Sequence, residues 1–185
     1  MSTIKVDRIE PRDGLQTNAM GGIVQVVRVV HTGQVSSNSS TYVSTGLQAS
    51  ITPRSASNKI MVSFEHSIYH TTQNSDVYTL HGIRIKRGTQ VIYTPVTSNS
   101  GNTSSSGPYE FGLYHSHTTV SDNYYHRSRV EYLDSPGTAG ALLTYSTELS
   151  CFGGQGIVYS NYNSPTPGHQ TSAPQSWMTL IEITA

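Results

Sequence analysis

Residues 45–64, TGLQASITPRSASNKIMVSF, alternate apolar and polar positions on either side of a short polar interruption. Thr45, Leu47, Ala49 and Ile51 point one way, and Gly46, Gln48 and Ser50 the other. Beyond the interruption, Ile60, Val62 and Phe64 resume the alternation. Period two marks a half-buried β-strand, because successive side chains face opposite sides of a sheet. Pro53 fixes φ, and Ser55, Ser57 and Asn58 can bond their own backbone, so a turn is predicted between two strands.

The same pattern recurs along the chain. Gly21-Gly22 opens the strand IVQVVRVV, and the polar tract 33–40 reads as a loop. Strands are predicted over 60–70, over 77–87 (with Tyr78, Leu80, Ile83 and Ile85), and in VIYT after a turn at 88–90. Further strands are predicted over 109–120, 124–133, 141–152 and 156–159, and in WMTLIEIT. In the last, Trp177, Thr179, Ile181 and Ile183 oppose Met178, Leu180 and Glu182. The tracts 98–107 and 161–175 are rich in Ser, Asn, Gly or Pro and read as surface loops. No stretch longer than about ten residues has helical apolar spacing. The pattern implies an all-β chain, an antiparallel β-sandwich of jelly-roll type. We expect an N-terminal anchoring arm over 1–22, whose apolar positions Ile4, Val6 and Ile9 are candidate contacts, and a single sandwich domain over 23–185.

Composition narrows the function. Charged residues are 12% of the chain, about half the usual share. Basic and acidic residues balance at 11 each, without the basic surplus of a nucleic-acid binder. Arg84, Lys86 and Arg87, and the pair Arg127 and Arg129, sit at strand positions expected to face solvent or a neighbouring subunit. Neutral polar surfaces at zero net charge favour self-association. The lone Cys151 is expected to be a buried, inert thiol. No secretory signal is read at the start, and the longest apolar run, 22–30, is too short for a bilayer, so folding in a cytoplasm without membrane insertion is expected.

Chemistry-bearing constellations are sparse. His115 and His117 are two apart on a predicted strand, and His66 and His70 share a face about Ile68. His-x-His can bind a transition metal if a third ligand converges. Glu65, Glu110 and Asp122 lie near in sequence, but none follows at a matching spacing. The ordinary reading is half-exposed histidines bonded to backbone or packed on tyrosines; the metal readings are a single-chain site or one on a symmetry axis. No G-x-S-x-G elbow and no phosphate-binding glycine loop occurs. Asp122, Glu131, Asp134 and Glu148 could supply a glycosidase carboxylate pair, although Asp134 fits the turn Leu133-Asp134-Ser135-Pro136-Gly137 by bonding backbone. We therefore expect no catalytic residue and no cofactor. Tyrosines crowd the second half, and Tyr159 and Tyr162, beside the long loop, are the candidate exposed contacts, able to stack on sugar rings or on a protein partner.

Residues 45–64, YLDSPGTAGALLTYSTEL at 132–149, WMTLIEI at 177–183 and the opening MSTIKVDRIEPRDG resemble a family of tailed-phage virion proteins of marine and cyanobacterial phages, often described as tail-fibre-like. The resemblance implies a β-rich, trimeric, surface-displayed virion protein without an active site. The expectation is a homotrimeric capsid decoration protein held by its arm, with phage capsid or tail proteins as partners. The alternatives are a tail-tip protein engaging host surface glycans and a polysaccharide hydrolase.

Overall fold

A computed structural model describes residues 22–72, 78–95, 111–114, 123–152, 156–163 and 174–184. Eleven strands account for most of them: β1 (Ile23–His31), β2 (Val35–Ser37), β3 (Val43–Ile51), β4 (Lys59–Thr72), β5 (Tyr78–Arg87), β6 (Gln90–Tyr93), β7 (Phe111–Tyr114), β8 (Asn123–Asp134), β9 (Leu143–Phe152), β10 (Gly156–Ser160) and β11 (Ser176–Ile183). They form two antiparallel sheets, β1-β11-β4-β8 and β3-β9-β5-β6. With β2, β7 and β10 set aside, the strands in chain order fall as 1-8-3-6 and 2-7-4-5, the connectivity of a jelly roll. The β-sandwich expected from the alternation is the fold observed.

Strand β4 organises the first sheet. Its first half, from Lys59 to Glu65, pairs with β11, and its second, from Ile68 to Thr72, pairs with β10, while β8 runs along its other edge. Strand β2 extends β10 through Ser36 opposite Tyr159. This short strand lies within the tract expected to be a loop; Val-Ser-Ser carries no alternation, and only the long-range partner makes it a strand.

Parity along the strands builds the core. Leu47, Ala49 and Ile51 meet Ile60, Val62, Phe64 and Ile68, with Ile83, Ile85, Tyr145, Leu149, Val158, Met178 and Leu180 filling the gap. Each large apolar side chain buried there contributes about 1.5–3 kcal/mol. Two polar clasps close the lower end. Glu182, fully buried, accepts hydrogen bonds from Gln25 Nε2, from Arg54 N at 2.7 Å and from Asn58 Nδ2 at 2.6 Å, tying β1 and the turn at 52–58 to β11. Asp134 Oδ2 accepts from Arg87 Nη1 and from the Tyr145 hydroxyl, both at 2.7 Å, which joins the two sheets. Asp134 therefore serves the inter-sheet contact in place of the turn bond expected of it, because β8 continues to this residue and turns its side chain inward.

Candidate functional site

The outer face of the first sheet carries its side chains in rows set by the register. One row is apolar across four strands: Val26, Ile181, Met61 and Leu133. Val26 is 55% exposed and Leu133 48%, and Ile23 beside them is 67% exposed. The next row, Arg28–Thr179–Ser63–Glu131, is polar, and the one beyond it mixes Val30 and Trp177 with Glu65 and Arg129. Arg28 lies over the Trp177 ring at 4.8 Å, and Arg129 approaches the same ring at 5.7 Å. Arg127 pairs with Glu65 at 2.8 Å, and Arg129 with Glu131. On the outer face of the second sheet, Arg84 and Lys86 bracket Glu148.

Eight residues further along β4, roughly 26 Å at 3.3 Å per residue, the row becomes aromatic. Tyr159, Tyr69 and Tyr125 are register neighbours on β10, β4 and β8. Tyr162 folds back to stack on Tyr69, with centroids 4.2 Å apart and planes 9° from parallel. Tyr69 touches Tyr125 at 4.4 Å, and Tyr159 lies 4.7 Å from Tyr162. Burial beneath its neighbours pushes the Tyr69 hydroxyl up to about 12, so it is uncharged at neutral pH. Tyr125 is 48% exposed and Tyr159 and Tyr162 are half-buried, which makes an aromatic platform with edges open to solvent. The structure thus brings together the two tyrosines singled out in the sequence and adds Tyr69 and Tyr125.

His66 and His70 differ from expectation, because inward strand parity buries them, as it does His81, where half exposure was expected. His66 spans the sandwich: Nδ1 meets Ser160 Oγ and Nε2 meets Thr147 Oγ1, each at 2.9 Å, and Thr147 Oγ1 continues to Thr45 Oγ1 at 2.7 Å. Burial, with His31 nearby, pushes His66 down to about 3. At one end of the sandwich, His70 from β4, His81 from β5 and His126 from β8 converge, with His70 Nε2 and His81 Nδ1 3.1 Å apart. Burial lowers all three, His70 to about 3, so they are neutral imidazoles at physiological pH. The face shared by His66, Ile68 and His70 is the inward one. His81 and His126 escaped notice, although His81 shares parity with the inward-facing Ile83 and Ile85.

Other expected sites are placed or lie elsewhere. Ile4, Val6, Ile9, His115, His117, Glu110 and Asp122 lie outside the described residues. Glu131 and Glu148 are held on the outer faces of opposite sheets, so these two form no carboxylate pair. Cys151 is buried, and desolvation pushes its thiol up to about 11, which keeps it protonated.

No family model matches the chain. No curated protein matches it in sequence. Among solved structures, one described as "Structure of infectious bursal disease virus Gx strain" is similar over 97% of this chain, at 9% identity and a TM-score of 0.33. The chain spans 44% of that structure's chain.

Proposed function

We propose that this chain is a non-enzymatic structural protein of a phage virion, a jelly-roll protomer that assembles as a homotrimer and decorates the capsid through its N-terminal arm. The observation that carries this reading is the uncovered apolar row Val26–Ile181–Met61–Leu133, with Ile23 and Val30 exposed beside it on the same sheet face. A row continuous across four strands has the character of an association surface, whereas scattered apolar residues need no partner. The near absence of net charge removes the repulsion that would oppose self-association. The phage resemblance of residues 45–64, 132–149 and 177–183 supplies the virion context.

Light scattering at micromolar concentration tests the assembly: a trimer mass is expected, and a stable monomer would overturn it. Labelled protein added to particles is expected to decorate the capsid, and deletion of residues 1–22 to abolish decoration while the sandwich stays folded. A second reading, a tail-tip protein that engages host glycans, is favoured by the platform of Tyr69, Tyr125, Tyr159 and Tyr162. Labelling confined to the tail, with a sugar-specific array signal lost in Tyr162→Ala, would select it over decoration.

A further inference from the structure

An inward position in this core is ordinarily filled by Ile, Val, Leu or Phe, and a histidine there loses hydration that partners must replace. His66 meets the condition, with a hydroxyl on each ring nitrogen. The cluster at the other end does not. Among the described residues, His70 Nδ1 and His126 Nε2 are buried without a hydrogen-bond partner. Three imidazoles so arranged make a poor hydrophobic core and a good ligand set.

The arrangement has the dimensions of a metal centre. The ring centroids of His70, His81 and His126 are separated by 5.0, 5.1 and 5.1 Å, a nearly equilateral triangle. Metal–nitrogen bonds of about 2.0–2.1 Å at tetrahedral angles put ligand-ring centroids roughly 5.2 Å apart and donor nitrogens roughly 3.3 Å apart. His70 Nε2 and His81 Nδ1 are already 3.1 Å apart, and one donor nitrogen from each of the three residues lies within 4.8 Å of the others.

We propose that His70, His81 and His126 form a three-imidazole site for a divalent first-row transition-metal ion, which pins β4 and β8 of one sheet to β5 of the other. An all-nitrogen donor set selects zinc, copper or nickel over magnesium and calcium, which take oxygen. Neutral imidazole is the ligating form. The site is independent of the virion reading, since it rests on the core of a single protomer.

The test uses the full chain, stripped with a chelator and titrated with Zn²⁺ by calorimetry, with Co²⁺ as a spectroscopic probe. One Zn²⁺ per chain is expected, with a rise in Tm and, for Co²⁺, the intense visible bands of a tetrahedral nitrogen site. His126→Gln, at a half-buried position, is expected to weaken binding at least 100-fold and to abolish the Tm rise while the far-ultraviolet β spectrum is retained. His70→Gln is expected to act in the same way. Absence of binding by the wild type, or unchanged affinity in both folded variants, would overturn the site.

Discussion

The Tyr162 ring lies flat on that of Tyr69, 4.2 Å away, so the segment after β10 is anchored to the outer face of the first sheet by an aromatic stack. The stack sets the shape of the platform, because Tyr159 and Tyr125 close on the same two rings. Tyr162→Ala is therefore expected to lower stability by more than about 0.5–1.5 kcal/mol, the usual worth of one aromatic pair beyond its buried area. Tyr162→Phe keeps the ring and is expected to leave the urea midpoint near that of wild type. Near-ultraviolet circular dichroism, which reports the packing of tyrosines, checks both variants.

Gly46 holds β3 in a conformation that side-chain-bearing residues rarely adopt. Its φ is +78°, and the β3–β9 register shifts around it, between Ser44 and Gln48. A Cβ there would sit 2.8 Å from His31 Nε2. Backbone strain alone costs about 1–3 kcal/mol at such a position. Gly46→Ala is expected to destabilise by at least that amount in thermal unfolding, and Gly46→Val by more. Equal stability of Gly46→Ala and wild type would mean the bulge relaxes freely.

The strand parities of β3, β4 and β11 were legible because buried apolar side chains recur at every second position. Leu47, Val62 and Leu180 all fall inside as the alternation requires. What could not be read is what depends on partners distant in sequence. Val35 to Ser37 become a strand only beside β10, more than a hundred residues later. Asp134 looks like a turn residue until Arg87 and Tyr145 are brought to it. The histidine triangle draws on three strands in two sheets, and no local spacing links His81 to His126. Periodicity reports which way a side chain points; only topology reports what it meets.

Acid should destabilise the fold in two windows. An unfolded histidine titrates near 6.5, whereas burial pushes folded His66 down to about 3. Below pH 6.5 the unfolded chain takes up a proton that folded His66 refuses, so stability falls as pH drops from 6.5 toward 3. The slope approaches ~1.4 kcal/mol per pH unit for each such histidine. Glu182 adds a lower window. Desolvation opposes its charge, but the bonds from Asn58, Gln25 and the turn backbone outweigh it and hold the carboxyl below 4.5. Its contribution is present above that value and is lost as pH falls through the folded value. Urea midpoints are expected to be flat above pH 7, to decline below 6.5 and to steepen below 4.5. His66→Gln is expected to make the upper window shallower by one histidine's share, with His70, His81 and His126 still contributing to it, and to leave the lower one in place.

Val26 and Leu133 stand at opposite ends of the apolar row, on β1 and β8. Both are about half exposed and face away from the core. Replacing them together by serine removes apolar area from the surface without touching Ile60, Val62 or Leu180 beneath. The change in strand propensity is worth less than about 1 kcal/mol per site, so the sandwich should remain folded. If the row is the association surface, the double variant Val26→Ser/Leu133→Ser is expected to shift sedimentation from oligomer toward monomer at the same concentration. Ser63 and Glu131 share the neighbouring polar row, and Glu131→Gln, which leaves the apolar area untouched, is expected to sediment as wild type. An unchanged oligomer in the double variant would move the interface off this sheet.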